Sequence, residues 1–530
     1  MLQAFAVPRR ARGSRVATAL LVVLAVVLLA PMLAYPFGSD HGVFATAADG
    51  ISHGRIPYRD IWDNKPPGVD YLFWAAFHLF GRSMLSIRLL DLLWTLATAL
   101  LLYLVGKRLL SKEAGVIGAG AFLVFYALGF DFWHTAQCDG FASLPLVAAA
   151  LLALVAEARR KPALALASGA LVGVAMTFKF TVAGLLLVPL ALAAAAREDE
   201  PRPRVTRAIA ALAGCALLLG AVAVALWRAG ALRGLIEAVF VWNRAYGEIQ
   251  APDPFGHALR FLFGGQYAVL PLIGAMAVIG LADLAWRRPR HWWLAPTWAV
   301  VMLAGVIVQG KYYAYHWLPV LPPVGLLAGQ GMWAVLEGIG RKIGLRRARW
   351  VAAAAGLVVG SLLTSAWLAQ FHWPLRYVSG KTSAKEYAAQ FTTPGGYFSL
   401  SADLATADYV REHTGREAPV FVWGLEPLVY FLADRAPASR YTYIIPLLAP
   451  WSGPEVKQRA LADLRHRPPE FILVVHNDAQ PWATGWRGDS YSYLAMGVFP
   501  EFTEVLTTQY RLATRMEDFD VWQRTLPAGR

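Results

Sequence analysis

The sequence predicts an all-α polytopic membrane protein with a C-terminal α/β domain, and three observations lead there. Hydrophobic residues make up 57% of the 530 and charged residues only 16%, with a mean hydropathy of +0.44. So few charges cannot cover one large soluble domain. Apolar runs close to the roughly 20 residues that span a bilayer recur over positions 1–371. From position 372 to 530 the pattern changes to mixed polarity, with strand-like and helix-like segments alternating.

The apolar runs fall at 16–36, 85–105, 114–130, 140–156, 163–178, 181–196, 205–228, 259–283, 291–309, 313–335 and 350–371, which makes about eleven spans. The fifth and sixth are short; if they form one bent unit, Lys179 between them is an exception to the placing of charges at the membrane edges. Basic clusters mark alternate ends of the runs: Arg9, Arg10, Arg12 and Arg15; Lys107, Arg108 and Lys112; Arg159, Arg160 and Lys161; Arg202, Arg204 and Arg207; Arg287, Arg288 and Arg290; Arg341, Lys342, Arg346, Arg347 and Arg349. The positive-inside rule puts these ends and the N-terminus in the cytoplasm. The other ends, and the C-terminal domain, are then extracytoplasmic. The first run is long for a signal-peptide core, so a retained helix is expected.

Charge and cysteine use exclude several classes. The excess of 49 basic over 35 acidic residues gives +14, but it is dispersed over short turns, which argues against nucleic-acid binding. Cys138 near an outer loop and Cys215 inside a span suit neither a disulfide nor a thiolate metal site. His41, His53 and His134 lack zinc spacing, and neither a phosphate-binding glycine loop nor a Gly-x-Ser-x-Gly elbow is present. Gly329-Gln330-Gly331-Met332-Trp333-Ala334 has dinucleotide-type spacing but lies inside an apolar run, where close helix packing is the expectation.

Two outer segments interrupt the spans. In the first, 37–84, Val43, Phe44, Ala47, Ala48 and Ile51 share one helical face, which predicts a helix lying on the membrane surface. Ile56-Pro57 and Lys65-Pro66-Pro67-Gly68 then predict extended backbone that sets Lys65 on a rigid ledge. In the second, 230–257, Leu235, Ile236, Ala238, Val239 and Trp242 predict another surface helix. In the C-terminal domain the pattern predicts helices at 402–413, 426–433 and 455–465 and strands at 419–423 and 469–475.

The chemistry-bearing residues gather at the outer ends. Asp40, after Gly38-Ser39, sits where an ionised carboxylate escapes the roughly 2.5–3.5 kcal/mol cost of a charge at mid-membrane. It either ends a helix at the interface or serves as a catalytic base. Asp139 opens the fourth span; it suits a helix cap as well as a catalytic role in orienting an acceptor or sharing a divalent metal ion with Asp40. Lys65 is the candidate cation for a departing phosphate, with Arg59 and Arg88 as helpers. Asp60 and Asp63 read as surface ion pairs or, with His41, as substrate contacts. Lys311, Tyr315 and His316 belong to an aromatic belt that can also contact a sugar. A carboxylate at a span mouth followed by a proline-braced lysine suggests chemistry on a lipid-carried phosphate at the bilayer surface.

Taken together, Asp40, Gly54-Arg55-Ile56-Pro57-Tyr58-Arg59-Asp60, Asp63-Asn64-Lys65-Pro66-Pro67-Gly68, Gly81 with Arg88, Asp139 and Tyr315-His316-Trp317-Leu318-Pro319 resemble the bacterial relatives of the dolichyl-phosphate-mannose protein mannosyltransferases. The resemblance covers 16–371 in layout and is most specific over 38–88; the tail around Val420-Phe421-Val422-Trp423-Gly424 is similar more loosely. It implies a GT-C-like membrane domain and an enzyme that moves a sugar from a polyprenyl-phosphate donor to a cell-envelope glycan, lipid or protein on the outer face of the bacterial inner membrane, with inversion. Asp40 matches the family's catalytic acidic residue of the first outer loop, Lys65 its phosphate-side lysine, and Asp139, more loosely, an acidic residue of the second outer loop. Asp40-His41 stands where some members have Asp-Glu, so that glutamate's role does not carry over. The alternative from another class is a transporter or lipid-linked-sugar flippase.

Overall fold

The computed structural model describes residues 7–195, 202–249, 253–265, 267–393, 398–476, 484–485 and 494–525. The chain divides into two compact units: Met1–Leu33, Arg88–Ala221 and Ala251–His372 form one, and Ala34–Ile87, Val222–Gln250 and Trp373–Arg530 the other.

The first unit is helical. Among the described residues of the whole chain, eight helices are long and apolar enough to cross a membrane: Arg15–Ala34, Met84–Leu109, Lys112–Gly129, Cys138–Arg159, Arg202–Arg228, Val269–Arg287, Ala314–Ile343 and Arg346–Gln370. Three shorter apolar helices, Pro162–Phe178, Phe180–Ala195 and Leu294–Gln309, take up the remaining predicted runs. The run at 259–283 is not continuous. It divides into Pro254–Phe263 and Val269–Arg287, with Gly265 between them at φ +105°, a backbone conformation that favours glycine. The fifth and sixth runs part at Lys179, which is extended at φ −155° and ψ 114°.

Glycines let the helices of this unit touch backbone to backbone. A Cβ at Gly331 would lie 1.9 Å from the Met276 carbonyl, and one at Gly329 2.3 Å from that of Ala114. The glycine spacing at 329–331 thus serves helix packing, as expected. Helix Arg346–Gln370 has only 6% of its apolar window buried, and Trp350 and Leu357 project outward from it. Such a helix is stable only with lipid around it.

Among the described residues, the second unit is built on a four-stranded sheet in the order Val420–Trp423, Phe471–Val475, Phe519–Arg524, Tyr510–Met516. β1 is Val420–Trp423, β2 Phe471–Val475, β3 Tyr510–Met516 and β4 Phe519–Arg524. β1 and β2 are parallel, in register Val420 to Phe471, while β2 pairs antiparallel with β4 and β4 with β3. Ala402, Val410 and Val429 pack on one face, and Ala460, Leu464 and Phe502 on the other. Both faces of the first two strands are therefore covered, which is why they read as unbroken apolar runs.

Two expectations about the 37–84 segment are corrected. Ser39–Ser52 is a helix, but it does not lie exposed at a surface: Val43, Phe44, Ala47 and Ala48 are buried, and it packs against helices Gly68–Phe80 and Leu428–Ala433. Gly42 makes the approach to the latter so close that a Cβ there would meet the Leu428 nitrogen at 2.5 Å. Nor is Pro67 extended. At φ −72° and ψ −10° it caps Gly68–Phe80, because proline's fixed φ also suits the first turn of a helix.

Candidate active site

In the second unit, helix Ser39–Ser52 begins immediately after Gly38, whose N–H donates to His41 Nδ1 at 3.0 Å. His41 thus stands at the third helical position and its ring accepts from the N-cap backbone, as a Glu or Gln side chain does in a capping box, although Gly38 has no side chain to return the bond. Its ring is fully buried and stacks on Phe37 at 5.4 Å. This gives a structural account of the Asp-His pair: the histidine secures the helix start that presents Asp40. Asp40 Oδ1 lies 3.7 Å from Lys65 Nζ, with both side chains partly open, at 25% and 17% exposure. Lys65 Nζ also stands 5.3 Å above the Phe44 ring, a placement that favours a cation.

The lysine is held by its main chain. The Lys65 N–H donates to Asp63 Oδ1 at 3.2 Å, and its carbonyl accepts from the Tyr58 hydroxyl at 2.7 Å. The Asn64 carbonyl accepts from Asn243 Nδ2 at 2.6 Å, and the Trp62 N–H donates to the Arg440 carbonyl at 2.9 Å. Asp63 is buried, and its Oδ1 takes a second bond from the Tyr443 hydroxyl at 3.3 Å. Burial pushes its carboxyl up to about 6, against the pull of Lys65 and with a smaller push from Asp40. Asp70, one turn into the next helix, is buried too, and burial raises its carboxyl well above the usual range, helped by Asp63.

Arg59 and Asp60 pair with each other at 2.7 Å on the exposed side of the same segment. Asp60 also accepts from the Ile56 N–H at 2.9 Å. The surface ion-pair reading describes them. Asp63 does not fit that reading: its bonds are buried and run to Lys65 and Tyr443.

The first unit holds the other candidates. Gln137, not Asp139, is the N-cap of helix Cys138–Arg159, and Asp139 lies in its first turn. Asp139 is fully buried, with Oδ2 accepting from Lys179 Nζ at 3.1 Å. The break between the fifth and sixth runs thus delivers a lysine to a carboxylate 40 residues away. Arg88 is buried and donates to Thr135 Oγ1 at 3.1 Å and to the Phe132 carbonyl at 2.8 Å, so it fastens the loop before Asp139. Lys311 is buried as well, and burial lowers its ammonium to about 8. Tyr315 and His316 stand edge to face at 4.8 Å, with His134 6.3 Å from Tyr315.

Asp40, His41, Arg59, Asp60, Asp63 and Lys65 therefore belong to one compact unit, and Arg88, Asp139, Lys311, Tyr315 and His316 to the other. No group of three His, Cys, Asp or Glu residues suited to a metal ion gathers among the described residues. Asp40 and Asp139 each face an ammonium instead. The sequence reading missed Tyr58, Asp70, Asn243 and Tyr443. Of these, only Tyr58 and Asp70 lie near enough to the Asp63-Asn64-Lys65 motif for local inspection to find them.

Residues 64–227 match the family model described as dolichyl-phosphate-mannose-protein mannosyltransferase. No curated protein matches the sequence significantly. Among solved structures, ArnT from Cupriavidus metallidurans in the apo state is similar at 17% identity, covering 95% of this chain and 97% of that one, with a TM-score of 0.61. The same protein bound to undecaprenyl phosphate is similar at 15% identity over 95% and 97% of the two chains, with a TM-score of 0.56. The family match is to a transferase rather than to the transporter or flippase held as the alternative. With the fold of ArnT along nearly its whole length and the mannosyltransferase signature over 64–227, the chain is a multi-pass membrane glycosyltransferase of the GT-C fold.

Proposed function

We propose that the protein moves a sugar from a polyprenyl-phosphate donor to a hydroxyl of a cell-envelope glycan, lipid or protein, by single displacement, at the outer face of the bacterial inner membrane. The observation that carries this is the 3.7 Å approach of Asp40 to Lys65. One group accepts a proton and the other stabilises a leaving phosphate. Asp40 takes the proton of the acceptor hydroxyl as its oxygen bonds the anomeric carbon. The bond from that carbon to the phosphate oxygen breaks, its electron pair leaves with the lipid phosphate, and Lys65 faces the developing charge.

The ion pair also links the two halves of the reaction. A donor phosphate seated on Lys65 draws the ammonium away from Asp40, so the carboxylate becomes a better base as the donor arrives. Lys65, 3.7 Å from Asp40, supplies the positive charge that faces the leaving phosphate. ArnT bound to undecaprenyl phosphate, a structure of the same fold, supports a polyprenyl-phosphate donor. The basic ends of the apolar runs support a cytoplasmic N-terminus and an extracytoplasmic C-terminal domain.

The decisive variant is Asp40→Asn. In a purified assay with a polyprenyl-phosphate sugar, turnover is expected to fall by about 10²–10⁴-fold, with expression and membrane insertion unchanged. Full activity of the Asn variant would remove Asp40 as the base.

A further inference from the structure

The reading of Lys65 as the phosphate-side cation raises the question of what holds it opposite Asp40. Its ammonium rides on a flexible four-carbon stem, so its position depends on the main chain from which the stem starts. That main chain is fixed on both sides of Lys65. The N–H is taken by Asp63 at 3.2 Å and the carbonyl by Tyr58 at 2.7 Å. Asp63 is itself buried and anchored by Tyr443 at 3.3 Å. Tyr443 is buried too, and its ring stands 5.7 Å from that of Trp62, the residue before Asp63.

We infer that Asp63 and Tyr443 are positioning residues for sugar transfer: the Tyr443 hydroxyl orients the Asp63 carboxylate, which fixes the Lys65 backbone so that its ammonium meets the donor phosphate. This deepens the proposed function and rests on it. Asp63 then acts as a hydrogen-bond acceptor and does not touch substrate. Its Oδ1 accepts from the Lys65 amide, Lys65 and Asp40 are the charged groups that act on it, and Asp70 in the next helix is itself pushed toward its neutral form by burial and by Asp63. A residue 380 positions away in the C-terminal domain thus sets the geometry of the motif.

The role predicts an order among variants. Asn keeps an acceptor oxygen for the Lys65 N–H and the Tyr443 hydroxyl, and Ala does not. Tyr443→Phe keeps the ring against Trp62 and removes only the hydroxyl. The full-length protein is purified in detergent, its folding checked by thermal unfolding, and kcat and KM are measured with a polyprenyl-phosphate sugar for Lys65→Ala, Asp63→Ala, Asp63→Asn, Tyr443→Phe and the Asp63→Ala, Tyr443→Phe double variant.

Asp63→Ala and Tyr443→Phe are expected to lower kcat by about tenfold to a hundredfold, the cost of misplacing a reacting group by about 1 Å, with the acceptor KM unchanged. Asp63→Asn is expected to restore most of that loss. The double variant is expected to be no worse than Asp63→Ala, because the two residues act through one bond. If Lys65→Ala is inactive while Tyr443→Phe keeps wild-type kcat, or if Asn at position 63 is as poor as Ala, the positioning role is overturned and the proposed function stands. Full activity of Lys65→Ala overturns the proposed function, and this inference with it.

Discussion

Asp63 shows how one side chain can be placed against its own charge preference. Its carboxyl is buried with one oxygen bonded to Lys65 and Tyr443, and burial raises it to about 6, above its ordinary value of 3.8. Between those values the folded protein keeps a proton that the unfolded chain has released. Stability therefore falls as pH rises through that window and levels off above it. A shift of about two units corresponds to roughly 3 kcal/mol at most. Thermal unfolding in detergent at pH 4.5 and 7.5 checks this: wild type should lose stability relative to Asp63→Asn as pH rises. A difference between the two that stays constant with pH would contradict it. Residue types and local spacing made Asp40 and Lys65 legible, since both lie on one short stretch. The partners of Asp63 were not legible, because nothing in a hydropathy pattern connects position 63 with position 443.

At the level of elements, the helix Ser39–Ser52 carries Asp40 and is seated by the contact of Gly42 with Leu428. A methyl group placed 2.5 Å from the backbone nitrogen of Leu428 forces one of the two helices to move. Gly42→Ala is expected to destabilise the protein by about 1–3 kcal/mol, as overpacking does, and to lower transfer activity by shifting Asp40. An unfolding midpoint equal to wild type would show that the two helices can part without cost. The same helix shows where sequence periodicity misleads. Its apolar face was read as lying on lipid, but period alone does not distinguish a lipid surface from a neighbouring helix. Strands β1 and β2 were found within a residue or two of their observed ends, because buried parallel strands are unbroken apolar runs. Strands β3 and β4 were missed. The burial along Tyr510–Met516 is mostly exposed, so its sequence carries little apolar signal.

At the level of the molecule, hydropathy and charge set the protein in a membrane. Helices such as Arg346–Gln370 expose most of their apolar surface, and the basic clusters at alternate ends of the runs give the chain its direction. The proposed topology, with the N-terminus in the cytoplasm, predicts that an alkaline phosphatase fused after Arg530 is active and a fluorescent protein fused there dark. The reverse pattern would place the sheet domain and the Asp40–Lys65 pair on the cytoplasmic side and would remove an envelope acceptor.

The sequence by itself determined where the apolar runs lie, the basic charge at alternate ends of them, the C-terminal α/β pattern and the short stretch holding Asp40 and Lys65. Each of these is a local property, written in composition or in periods of a few residues. Tertiary structure alone decided that Asp139 is paired with Lys179, that His41 caps a helix, and that Asn243 and Tyr443 hold the lysine's loop from 179 and 380 residues away. Such partnerships form because a buried polar group must find a hydrogen bond wherever packing brings one, and that choice is made in space rather than along the chain.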